Sequence, residues 1–126
     1  MGRSLGGSIA AQAAAEHAPG GLILESSFTS LHEIAQGKMP IIPLSLMLKY
    51  KLPTIENIAK VKCPILIIAS PDDSIVPFKY GKKLYEKAPE PKTFVELSGD
   101  HDDCYFLCRT KYVAALTKFF EDLLLK

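Results

Sequence analysis

Five consecutive apolar residues, Ile65-Leu66-Ile67-Ile68-Ala69, lie between Pro64 and the turn-forming Ser70-Pro71-Asp72-Asp73. A run this short and this rich in branched side chains has no polar face. It therefore reads as a strand covered on both sides, the environment of a parallel sheet with helices above and below. The flanking segments fit that reading. A small-residue helical pattern runs through Ile9, Ala10, Ala13, Ala14 and His17 and is closed by Pro19-Gly20-Gly21, after which Leu22-Ile23-Leu24 forms a second short apolar run. Residues 54–60 suit a short amphipathic helix, residues 78–88 a helix stopped by Pro89 and Pro91, and residues 93–97 a third strand. The last element is a helix whose Val113, Leu116, Phe119, Phe120, Leu123 and Leu124 have the three-and-four spacing of one buried face. Strands alternating with helices imply an α/β domain of three parallel strands joined by right-handed crossovers.

Two segments interrupt this alternation. Ser30-Leu31-His32-Glu33 has capping-box spacing and predicts a brief helix ending near Gly37. Residues 39–53 are apolar yet contain Pro40, Pro43 and Pro53, which suits a cap inserted over a pocket better than a strand. The expected organisation is one domain over residues 1–126 with the cap inside it.

Bulk properties narrow the function. The 126 residues are 48% hydrophobic and 23% charged, an ordinary globular balance, and 15 basic against 14 acidic side chains leave a net charge of +1. No single-sign field is available to attract nucleic acid or an anionic membrane. A small molecule or another protein is the expected partner. Three cysteines, Cys63, Cys104 and Cys108, with no secretory signal argue against a disulfide framework and for a cytoplasmic setting. The longest apolar stretch, near residues 40–48, falls short of the roughly 20 residues that cross a bilayer.

The chemistry lies in three places. Gly2-x-Ser4-x-Gly6 is a nucleophile-elbow pattern, in which glycines let a strand turn sharply into a helix and leave the serine hydroxyl exposed. The Leu5 N–H, at the positive end of that helix, would then face a developing oxyanion. Gly-rich turns before helices are frequent, so the pentapeptide by itself leaves a plain turn open. A serine nucleophile also needs a base and an orienting carboxylate from other strand ends. Asp73 follows the 65–69 strand and His101 the 93–97 strand, although Asp72 and Asp73 also suit a simple turn and His101 a solvated loop. His17 and His32 read as ordinary helix residues. Cys104 and Cys108 near His101 lack the further pair that a tetrahedral metal site needs, so neither metal nor cofactor is expected.

Gly2 to Gly7, Cys63 to Ile68 followed by Asp73-Ser74-Ile75-Val76-Pro77, and Gly99 to Asp103 together resemble three successive signatures of the α/β-hydrolase superfamily. Nearly the whole chain is covered. The resemblance is strongest to the branch of small serine esterases and depalmitoylases. It implies Ser4 as nucleophile, His101 as base, Asp73 rather than Asp72 as acid, and Leu5 as an oxyanion donor. It further implies Arg3, Phe28, Ile75 and Val76 as substrate contacts and a small acyl compound as substrate. Two departures stand out: Ala69-Ser70 replaces the branch's usual His-Gly, and Asp100 replaces a common second Gly before the base.

In the resembled fold the serine follows the fifth of about eight strands, and a second oxyanion donor comes from a loop after the third. The chain is accordingly expected to be a truncated, carboxy-terminal portion. Its elbow would have no strand to hold it, and the Leu22–Leu24 strand would have an unpaired edge. Self-association or pairing with a missing N-terminal half would cover that edge. The alternative to a hydrolase is a catalytically inactive remnant acting only through such pairing.

Overall fold

The computed structural model describes residues 1–36, 43, 45 and 49–125. Four parallel strands lie side by side in chain order: β1 (Gly2–Arg3), β2 (Leu22–Glu25), β3 (Ile65–Ala69) and β4 (Lys92–Glu96). Among the described residues the helices are α1 (Leu5–His17), α2 (Leu31–Gln36), α3 (Thr54–Ile58), α4 (Phe78–Lys87), α5 (Cys104–Leu107) and α6 (Arg109–Leu124). The three expected strands are joined by a fourth. Gly2 and Arg3 stand opposite Leu24 and Glu25, so the elbow has a strand and β2 is paired on both sides at its carboxyl end. The expectation of a strandless elbow and an unpaired β2 edge is corrected there, because two extended residues suffice to start a ladder that Ser4 N–H continues to the Glu25 carbonyl at 2.9 Å.

Alternation along the central strands makes two cores. Leu22, Leu24, Ile65 and Ile67 point to one face and pack with Ala11 and Ala14 of α1, Ile58, and Leu84 of α4. Ile23, Leu66 and Ile68 point to the other and pack with Cys104, Tyr112 and Phe119. This explains why those strands read as apolar without interruption. A third cluster, of Phe28, Leu31, Ile34, Val76 and Tyr80, lies with Ile75 and Leu52 packed against it.

The buried face of the last helix differs from the expected one. Tyr112 and Phe119 are buried and Leu116 and Leu123 pack on the sheet, whereas Val113, Phe120 and Leu124 are 49%, 50% and 86% exposed. Two apolar lines with helical spacing overlap in this segment, and the position of the sheet selects the one through Tyr112. The residues that follow His101 also form two helices rather than one, with the break at Cys108.

Ser30 Oγ accepts the Glu33 N–H at 3.1 Å, half of the expected capping box, while the Glu33 carboxylate accepts from Thr29 Oγ1 at 2.5 Å. Most of the 39–53 cap lies outside the described residues; of its end, Lys51 offers its carbonyl to Leu31 N–H at 3.4 Å. Among the described residues no helix is long and apolar enough to cross a membrane.

Candidate active site

A parallel sheet delivers the carboxyl ends of all its strands to one rim, and Ser4, Asp73 and His101 follow β1, β3 and β4 respectively. The outer strands β1 and β4 are three interstrand steps apart, about 14 Å at roughly 4.8 Å per step. The loop after β4 must therefore double back for His101 to approach the elbow. Named contacts hold it there. Ser70 Oγ donates to the Gly99 carbonyl at 2.6 Å, and Gly99 N–H donates to Asp72 Oδ2 at 3.0 Å. Ser74 donates its N–H and its hydroxyl to Asp100 Oδ1 at 2.8 and 2.7 Å, and Arg3 Nη2 donates to the His101 carbonyl.

The outcome is a buried pair: His101 Nδ1 lies 2.8 Å from Asp73 Oδ2, with side-chain exposures of 9% and 2%. The other carboxylate oxygen of Asp73 accepts the N–H groups of Ile75 and Val76 at 2.9 and 2.8 Å, so the carboxylate is fixed by its own turn before it meets the imidazole. A neutral imidazole that donates its Nδ1 proton to Asp73 would keep Nε2 as an acceptor. Asp72, one residue earlier, is spent on the Gly99 N–H.

Ser4 has φ 51° and ψ −121°, a conformation costly for a residue with a Cβ and one that persists only where the surroundings impose it. The surroundings here are close. A Cβ at Gly2 would sit 2.3 Å from the Gly6 carbonyl oxygen, and one at Gly7 would sit 1.8 Å from Ser27 Oγ. Gly6 has open space around it, so the tight approach falls on Gly7 rather than on the second glycine of the pentapeptide. Among the described residues Ser4 Oγ makes no hydrogen bond to His101.

Asp100, the departure noted before His101, joins the Asp73 loop to the His101 loop, accepting also from His101 N–H at 2.7 Å. The backbone and side chain of Ser74, then the His101 backbone, pull its carboxyl down from 3.8 to about 2. A carboxyl lowered on folding supports the fold at any pH above its unfolded value and loses that support as the pH falls through its folded value. The clamp should thus remain intact at pH 4. A carbon-13 titration of the folded chain should place the Asp100 midpoint near 2, rising in Ser74→Ala; a midpoint near 3.8 in the intact protein would mean that the two loops are not joined.

Leu5 heads α1, where the first N–H groups have no helical acceptor. Phe28 and Val76 are buried at 2% and 4% within the third cluster, and Ile75 packs partly buried against it. Burial pushes the Cys63 and Cys104 thiols up, and Cys108 Sγ accepts the Ser98 N–H at 3.2 Å. A polar residue at the rim escaped sequence reasoning. Glu25, 3% exposed, binds Arg3 and Tyr112; its only signal was a charged residue ending a strand apolar on both faces.

A rim that carries a strained serine elbow, a buried carboxylate–imidazole pair and a parallel sheet defines a class. The fold is that of the α/β-hydrolase superfamily, to which a lipase relative also points. It is 38% identical over 120 residues to an uncharacterised protein of Mycobacterium tuberculosis (strain ATCC 25618 / H37Rv), covering 94% of this chain and 43% of that protein. It is 34% identical over 92 residues to lysophosphatidylserine lipase ABHD12 of Danio rerio, covering 60% of this chain and 23% of the lipase. The fold matches the Pyrococcus furiosus esterase Pf2001 with a TM-score of 0.75 at 13% identity, over 94% of this chain and 51% of the esterase. The chain thus spans less than half the length of these curated relatives. No family model matches it.

Proposed function

We propose that this chain carries the catalytic triad of a serine hydrolase that cleaves an ester, thioester or amide of an apolar acyl substrate. The observation that supports this most is the buried 2.8 Å contact between His101 Nδ1 and Asp73 Oδ2 on the rim that also bears the strained Ser4. Ser4 Oγ attacks the acyl carbonyl carbon as His101 Nε2 takes its proton, and the Leu5 N–H, at the head of α1, stabilises the oxyanion. Collapse of the tetrahedral intermediate expels the alcohol, thiol or amine, which receives the proton from His101. Water, deprotonated by the same imidazole, then releases the acid and restores Ser4.

Ile75, partly buried against the third cluster, offers apolar surface beside the acid loop, and the name of the lysophosphatidylserine lipase relative favours a lipid-like acyl ester. No cofactor is needed for these steps. Three free thiols, two of them buried, favour the reducing cytoplasm as the working compartment.

The test is reaction of the folded chain with a fluorophosphonate probe, followed by peptide mass spectrometry. A phosphonyl adduct on Ser4 is the expected result. A folded sample that forms no adduct would overturn this reading and favour a non-enzymatic unit that pairs with another chain through the outer edge of β1.

A further inference from the structure

The carboxylate that ends β2 takes no part in the chemistry above, although burying it is costly unless it is fully partnered. Glu25 is 3% exposed, and both of its oxygens are engaged. The Tyr112 hydroxyl donates to Oε2 at 2.8 Å, and Arg3 Nε lies 3.4 Å from Oε1. Burial, followed by the hydrogen bond to Glu25, raises the Tyr112 hydroxyl well above its ordinary pKa, which keeps it a donor. The β1–β2 register sets Arg3 directly opposite Glu25, so the pair is built into the strand alignment.

The guanidinium has a second end. Its Nη2 donates to the His101 carbonyl and lies 3.3 Å from Asp102 Oδ1. A planar fork can hold two partners at fixed separation, which an ammonium on a flexible stem cannot. The space beside Arg3 is a hollow of about 320 Å³ shared with Glu25, Asp102, Tyr105, Phe106 and Tyr112. Neither Ser4, Asp73 nor His101 lines it.

We propose that Glu25 and Tyr112 hold Arg3 as a brace on the backbone of His101, which makes Arg3 a positioning residue for the base instead of a substrate contact. Its catalytic consequence rests on the serine-hydrolase reading, whereas the brace itself does not. Arg3 adjoins the nucleophile in sequence, so the brace ties the loop of the base to the strand that carries Ser4. These are the two parts of the site that the sheet order places farthest apart.

The test uses the intact chain and the variants Arg3→Met, Arg3→Lys and Glu25→Gln, with two readouts. One is the NMR resonances of the His101 backbone amide and of its Nδ1 proton, which require no substrate. The other is the rate of fluorophosphonate labelling at Ser4. Arg3→Met should shift both resonances and slow labelling about 10- to 100-fold, the scale of an ångström-sized misplacement of a catalytic group. Arg3→Lys should recover part of each effect. Glu25→Gln should act in the same direction as Arg3→Met, and the double variant should be no worse than the more severe single one. If Glu25→Gln does not fold, the two half-exposed Arg3 variants decide. A folded Arg3→Met with unmoved His101 resonances would overturn the brace. Shifted resonances in a chain whose wild type never labels would overturn the hydrolase reading and leave the brace standing.

Discussion

On the proposed serine-hydrolase mechanism, turnover of an activated ester such as p-nitrophenyl butyrate is expected to fall by about a million-fold in His101→Ala, to the limit of detection. Asp73→Asn should cost about ten-thousand-fold. The difference in scale follows from the two roles. Without His101 nothing accepts the Ser4 proton, and a neutral hydroxyl is a poor nucleophile. Asparagine at 73 preserves the shape and keeps an oxygen for the Ile75 and Val76 N–H groups. Its amide N–H₂, however, would confront the proton on His101 Nδ1. The ring would be driven to the tautomer whose Nε2 carries a proton and cannot accept one. Both variants should keep the fold, which a circular-dichroism melt would check. Substantial turnover by a folded His101→Ala would remove the imidazole from the mechanism.

The largest effect on stability is expected at Ile67. This side chain is 1% exposed, stands between Leu24 and Phe94 in the ladder, and belongs to the core beneath α1 and α4. Ile67→Ala removes buried carbons and leaves a cavity that a strand paired on both sides cannot collapse to fill. The cost should be about 2–5 kcal/mol, a large part of the roughly 5–15 kcal/mol that stabilises a domain. Urea denaturation would read it as a lower midpoint at unchanged slope. Val113→Ala is the contrasting case. Val113 is 49% exposed on α6, and its truncation should move stability by less than about 0.5 kcal/mol. If the two variants lost equal stability, the assignment of the buried face of α6 would be wrong.

That helix shows where sequence reasoning reached its limit. Helical spacing reveals that residues 109–124 present an apolar face, but lines through Tyr112 and through Val113 satisfy the same period. The choice between them depends on how Ile23, Leu66 and Ile68 meet the helix, a contact across more than forty residues of chain. The elbow shows a similar division. Gly-x-Ser-x-Gly announces a sharp turn and the close approach of Gly2 to Gly6 within it, yet the approach of Gly7 to Ser27 just beyond is one that no local pattern signals.

Three of the four strands, their parallel direction and the succession Ser4, Asp73, His101 follow from patterns contained within a few residues each, whereas β1 shows only in its pairing with β2. Apolar runs of three or five residues, and turns rich in Gly, Pro and Asp, act over the same short distances as the backbone preferences they express. Pairings between distant residues were settled only in three dimensions. Asp72 turned to Gly99 while Asp73 met His101, and Arg3 came to lie among Glu25, His101 and Asp102. Such contacts depend on the strand order and on a loop that crosses back over the sheet. Both are properties of the packed chain as a whole, because a side chain's partner across the sheet is set by register and not by its neighbours in sequence.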